Sequence, residues 1–178
     1  RLEYRGYDSA GLALVGAGTL TEIKEVGKVA RLEEACAGFP ELENDVCCGI
    51  AHTRWATHGV PSAVNAHPHC DEKYEFAIVH NGIVENHHEL RAHLEKKGYH
   101  FRSSTDSEVI VHLIAEAYEG DLLSATAAAV RQLSGTYGIA VVSSRHPGLI
   151  VAARKGSPLV IGLGEGENFL GSDVAAFV

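Results

Sequence analysis

Methionine is missing altogether from these 178 residues. A chain that opens at Arg1 with no initiator is expected to have lost native N-terminal sequence. Cysteine is sparse as well, at four, with two of them adjacent at positions 47 and 48. That is no disulfide framework, and it points to a reducing, cytoplasmic setting. Positive charge is in short supply: 15 Lys and Arg stand against 23 Asp and Glu, a net of -8. Nucleic acid is thereby excluded as a partner, since phosphate binding needs a basic surface. Apolar runs are short, residues 148–153 being typical, whereas a membrane helix needs about 20. No secretory leader pattern opens the chain. Repeats, low-complexity tracts and linkers are also lacking, which leaves one domain of ordinary globular composition.

What is present alternates between two periodicities. Residues 9–16 and 19–27, separated by Ala17-Gly18, read as a β-hairpin. Val29, Leu32 and Ala35-Cys36 form a helical stripe over 28–37. Short apolar runs at 47–53 and 76–80 predict buried strands. Leu90 and Leu94 mark a helix over 89–97 stopped by Gly98. Another helix is expected over 106–118, with Val109, Leu113 and Ala117 on one face and a capping box of Thr105 and Glu108. A further helix covers 122–133. Three strand-like runs at 137–143, 149–154 and 159–163 then predict an antiparallel meander. Hairpin strands with helices grouped apart define an α+β fold, helices packed on antiparallel sheets.

Three segments carry chemistry: A-H-T-R-W-A-T-H-G (51–59), V-H-N-G-I-V-E-N (79–86) and S-T-D-S-E-V-I (104–110). Arg54 offers a guanidinium that can take a carboxylate bidentately, although a lone arginine also serves in structural ion pairs. Trp55 suits a core position as well as a site. Thr57 and His58 can donate to a ligand or simply complete a turn before Gly59. Asn81 and Gly82 can stabilise an oxyanion through an amide and a backbone N–H. The same dipeptide is a common hairpin turn, but Ile83-Val84-Glu85-Asn86 does not alternate as a return strand should. Asp106 can accept from a ligand ammonium or cap a helix. A ligand with an ammonium, a carboxylate and a carbonyl about to become an oxyanion fits this set, and free glutamine is one.

Two segments invite misreading. His67-Pro68-His69-Cys70 offers three potential metal ligands within four residues, but no second pair completes a zinc site. Residues 162–166 (G-L-G-E-G) lack the spacing of a phosphate-binding loop and read as a plain loop. No metal is expected.

Together with R-L-E-Y-R-G-Y-D-S-A-G (1–11), N-A-H-P-H (65–69) and S-P-L-V-I-G-L-G-E-G-E-N-F-L-G-S-D (157–173), these segments closely resemble the N-terminal glutaminase domain of glucosamine-6-phosphate synthases. Those are class II glutamine amidotransferases. The resemblance implies a four-layer αββα sandwich of two antiparallel sheets, the N-terminal-nucleophile hydrolase fold. Residues 1–178 would then be a partial domain, truncated at both ends, without the sugar-isomerase domains.

The resemblance also implies roles. An N-terminal cysteine attacks the glutamine side-chain amide, ammonia leaves, and a thioester is hydrolysed to glutamate. Arg54 would grip the α-carboxylate, Trp55 gate the ammonia route, Thr57 and His58 help bind glutamine, Asn81 and Gly82 form the oxyanion hole, and Asp106 hold the α-ammonium. Arg5 would lie near the nucleophile. No cofactor is implied. The partners would be L-glutamine and glutamate, the sugar-isomerase domain of the same polypeptide, and a second copy in a homodimer.

The family's opening Cys-Gly-Ile motif does not stand at Arg1, so this chain is expected to be inactive alone. Cys48-Gly49-Ile50 imitates that motif, but an interior cysteine has no free α-amino group to serve as base. Two other readings stay open: an amino-acid-binding module without a nucleophile, and a class II amidotransferase with another acceptor.

Overall fold

A computed structural model describes residues 6, 8–39, 46–55 and 60–177. Strands β1 (Ser9–Gly16) and β2 (Thr19–Val26) form the expected hairpin, and β3 (Val46–Arg54) pairs with the other edge of β1, all antiparallel. The turn residues Ala17 and Gly18 both take positive φ (49° and 75°), which matches the twist of the strands they join. Helix α1 (Val29–Cys36) lies on this sheet, and Leu32 packs with Ala10 and Ile23.

The second sheet has the order β4 (His69–Cys70), β5 (Phe76–Val84), β6 (Gly135–Ser143), β7 (Val151–Lys155), again antiparallel throughout. Helices α2 (His87–Lys96), α3 (Glu108–Ala117) and α4 (Leu122–Val130) cover one face of it. Strand periodicity divides the two cores cleanly. Ile78, Ile139 and Val141 point toward the helices, whereas Ala77, Ala140 and Val142 meet Ala13, Val15 and Ile50 of the first sheet. The layers therefore run helix, sheet, sheet, helix, the αββα sandwich anticipated from the sequence.

Helix α3 differs from the one-faced helix that Val109, Leu113 and Ala117 suggested. Val109, Ile110, Val111, Leu113 and Ile114 are all fully buried, because α3 is wedged among α2, α4 and the sheet. Each such side chain contributes about 1.5–3 kcal/mol of burial. The capping box does not form. The N-cap is Ser107, and no side chain caps the helix. The Glu108 carboxylate turns back instead to accept from the backbone N–H groups of Arg102 (2.8 Å) and Ser103 (2.7 Å) and from Ser103 Oγ (2.6 Å). Burial opposes ionisation of Glu108. The nearby His112 ring (3.6 Å) and the hydrogen bonds from residues 102 and 103 outweigh that and hold the pKa at about 2.

The predicted three-strand meander is also corrected. β6 and β7 do pair, but β8 (Val160–Leu163) pairs with β9 (Asn168–Gly171) in a separate hairpin whose turn is the glycine-rich run at 164–167. A short 3-10 turn (Val174–Ala176) follows, with Asp173 accepting from the N–H of Ala175.

Candidate active site

Between the two sheets, at the end where β3 finishes and β5 crosses it, lies a cavity of about 430 Å³. Arg54 and Trp55 border it from β3 and the residue after it, Asn81 and Gly82 from β5, and Asp106 from the loop before α3. Five of the eight residues singled out from sequence thus line one space. Arg5, Thr57 and His58 lie outside the described residues. Trp55 is 60% exposed, so it stands at the rim rather than in the core.

Arg54 is buried at the last position of β3. Its Nη1 lies 3.8 Å from Asp8 Oδ1, and its carbonyl accepts from the Asp8 N–H (3.2 Å). A buried guanidinium keeps its charge, so the cavity carries a fixed cation. Asp106, also buried, accepts the backbone N–H of Val84 through Oδ2 at 2.7 Å, while Oδ1 faces Ser107 Oγ at 3.4 Å. It therefore ties the loop before α3 to the end of β5 and leaves acceptor capacity on a cavity-lining carboxylate. It is not a helix cap.

Asn81-Gly82 is not a hairpin turn. β5 continues through both residues to Val84, pairing Asn81 with Gly138 and Gly82 with Tyr137. Gly82 has φ 137°, and a Cβ built there would lie 2.1 Å from the carbonyl oxygen of Thr136. Only glycine lets the two strands approach this closely while keeping that backbone angle.

Sequence reasoning missed the histidines of this wall, of which His52, His67 and His80 line the cavity. His52 Nε2 lies 2.8 Å from Asn81 Oδ1, bridging the two sheets. His67 packs against His52 with centroids 4.4 Å apart and the rings tilted by 43°, and His69 meets His67 edge-on at 4.6 Å. Burial, and then the charges around each ring, lowers the pKa of all three; His52 falls to about 4 and His69 to about 3. These rings are neutral at pH 7. His80 Nδ1 pairs with Ser107 Oγ at 2.8 Å, and burial lowers its pKa too, against the pull of Asp106. The available signal was period 2: His52 stands two residues before Arg54 on β3, so both side chains share one face.

Cys48 sits within β3, its thiol pushed up by burial, and is not among the residues lining the cavity. Cys70 donates to Glu22 Oε1 at 3.4 Å, and burial raises its pKa strongly. Among the described residues no three His, Cys, Asp or Glu side chains are grouped to hold a metal ion, and no helix is long and apolar enough to cross a membrane.

The fold is thus a sandwich of antiparallel sheets, with a cation, a carboxylate and an amide lining one cavity between them. Residues 52–178 match the family model for the glutamine amidotransferase domain, and the chain belongs to that family. It is similar along its whole length to curated relatives named glutamine--fructose-6-phosphate aminotransferase [isomerizing]. The one from Aquifex aeolicus is 53% identical over 100% of this chain. The one from Pseudomonas aeruginosa is 58% identical over 99%. The chain spans 30% and 29% of the length of these two relatives. Among solved structures, the glutamine phosphoribosylpyrophosphate amidotransferase from B. subtilis superimposes with a TM-score of 0.80 at 25% identity, covering 99% of this chain and 38% of that one.

Proposed function

We propose that this domain hydrolyses L-glutamine to glutamate and ammonia, and that the ammonia goes to fructose 6-phosphate to make glucosamine 6-phosphate. The observation that carries the reading is the convergence of Arg54, Asn81, Gly82 and Asp106 on one inter-sheet cavity. Arg54 holds the α-carboxylate of glutamine bidentately, and Asp106 accepts from its α-ammonium. The side-chain amide then lies toward Asn81 and Gly82. The attacking thiolate belongs to an N-terminal cysteine of the longer polypeptide, activated by its own α-amino group. Attack at the amide carbon forms a C–S bond and places negative charge on oxygen, which the Asn81 amide and Gly82 N–H stabilise. The C–N bond breaks as nitrogen takes a proton and leaves as ammonia. Water then cleaves the thioester, releasing glutamate and regenerating the thiol.

Trp55 at the rim is the gate on the ammonia route, and Thr57, His58 and Arg5 complete the glutamine and nucleophile surroundings. Fructose 6-phosphate is favoured as acceptor over a phosphoribosyl group because identity exceeds 50% to the relatives carrying its name, against 25% to the phosphoribosyl enzyme. The acceptor site belongs to sugar-isomerase domains in the remaining length, in a homodimer. Four unpaired thiols fit a cytoplasmic location.

The test uses the full-length polypeptide and measures glutamate release from glutamine. Wild type should turn over, and Asn81→Ala should lower kcat by about 10²–10³, the usual cost of one oxyanion donor. No glutamate from wild type, or an unchanged kcat in Asn81→Ala, would remove this assignment.

A further inference from the structure

We infer that His52 is a positioning residue: its Nε2–H holds the side-chain oxygen of Asn81, so that the amide nitrogen, not the oxygen, is presented to the cavity. The inference deepens the reading of Asn81 as an oxyanion donor and rests on it.

An imidazole and an amide 2.8 Å apart can pair in two ways. Either the ring N–H donates to the amide oxygen, or the amide N–H donates to a bare ring nitrogen. Only the first leaves the amide hydrogens for a ligand; the second turns the oxygen inward, where it would repel a developing negative charge.

The far side of the ring decides between them. His52 Nδ1 is buried and has no hydrogen-bond partner among the described residues. In the second arrangement the single ring proton of neutral histidine sits on Nδ1, leaving a buried N–H with nothing to accept it. In the first, Nδ1 carries only a lone pair, and buried acceptors without a partner are tolerated better than buried donors. A doubly protonated ring is disfavoured by burial and by the nearby His80 and Arg54, which keep the pKa at about 4. His67 packs against the ring at 4.4 Å, tilted by 43°. His52 therefore fixes which end of Asn81 faces the substrate, acting through the amide it holds.

Two measurements on the full-length protein decide the matter. Nitrogen-15 NMR of labelled histidine at pH 7 should show His52 as the Nε2–H tautomer; an Nδ1–H tautomer overturns the inference whatever the activity. The second is a kinetic cycle with glutamine. His52→Ala should lower kcat about 10- to 100-fold with KM changed by less than about threefold, short of the loss on removing the donor itself. His52→Gln, which restores an N–H at a similar reach, should recover most of that loss. In the Asn81→Ala background, His52→Ala should cost nothing further in kcat, because its target is gone. Losses that multiply in the double variant, or a wild-type kcat in His52→Ala, would refute the positioning role while leaving the glutaminase assignment standing. A wild-type protein that does not hydrolyse glutamine would take down both.

Discussion

Replacing Gly82 by alanine should injure both the sandwich and the site, and the structure sets the scale. The added Cβ would lie 2.1 Å from Thr136 O, 2.7 Å from Thr136 C and 3.0 Å from Tyr137 Cα. All three are backbone atoms of β6, so no side chain can swing aside. Alanine at φ 137° carries strain of about 1–3 kcal/mol by itself. Relieving the contact means parting β5 from β6 locally and losing one or two ladder hydrogen bonds, each about 1 kcal/mol. The total is about 2–5 kcal/mol, a large part of the roughly 5–15 kcal/mol that holds a domain together. Gly148 is the control. Its φ is 80°, but a Cβ there meets nothing within 4 Å, so Gly148→Ala should cost about 1 kcal/mol. Chemical denaturation of the two variants in the full-length protein, followed by signals from this domain, measures the difference. Equal midpoints for the two would refute the claim of close strand approach at Gly82.

Arg54→Lys keeps the charge and loses the planar fork, so KM for glutamine should rise about tenfold or more with a smaller change in kcat; an unchanged KM would remove Arg54 from carboxylate binding. Cys48→Ser should leave kcat and KM near wild type, because Cys48 lies within β3 and is not among the cavity-lining residues; a kcat loss beyond 100-fold would make it the nucleophile. Acid should destabilise the domain earlier than carboxylate titration alone would. His52 and His69 take up a proton near pH 6.5 when unfolded but only near 4 and 3 when folded. Their contribution is intact above pH 6.5 and is lost as pH falls toward those values. For His52 this is about 3 kcal/mol at most, reduced because part of the ring reaches the cavity. Denaturation midpoints at pH 7 and pH 5 read it directly, and equal midpoints would contradict the neutral histidine row.

Local signals carried much of this fold. Ala17-Gly18 named its own hairpin, and the α1 stripe of Val29, Leu32, Ala35 and Cys36 is the set that packs on the first sheet. Failures came where distant partners overrode local grammar. Asn81-Gly82 looks like a turn until β6 arrives to pair with it. Thr105 and Glu108 have capping-box spacing, but Thr105 Oγ1 is engaged by His69 Nε2 (3.1 Å) and Glu108 by the 102–103 backbone. β8 could not be assigned to β9 without seeing the chain return past its glycine-rich turn. At the site, Arg54, Asn81 and Asp106 were readable as residue types suited to an amino acid. Their convergence was not, since it depends on how two sheets stack. His52 escaped because a lone histidine on a strand ordinarily means nothing, and its partner is 29 residues away on the opposite sheet.

The central claim is that Arg54 and Asp106 clasp the two ends of one amino acid within the inter-sheet cavity. A crystal structure of the full-length protein with L-glutamate tests it most directly. The account predicts the α-carboxylate within hydrogen-bond distance of the Arg54 guanidinium, the α-ammonium against the Asp106 carboxylate, and the side chain running toward Asn81 and Gly82. Glutamate bound elsewhere, or in this cavity with neither contact, would contradict it.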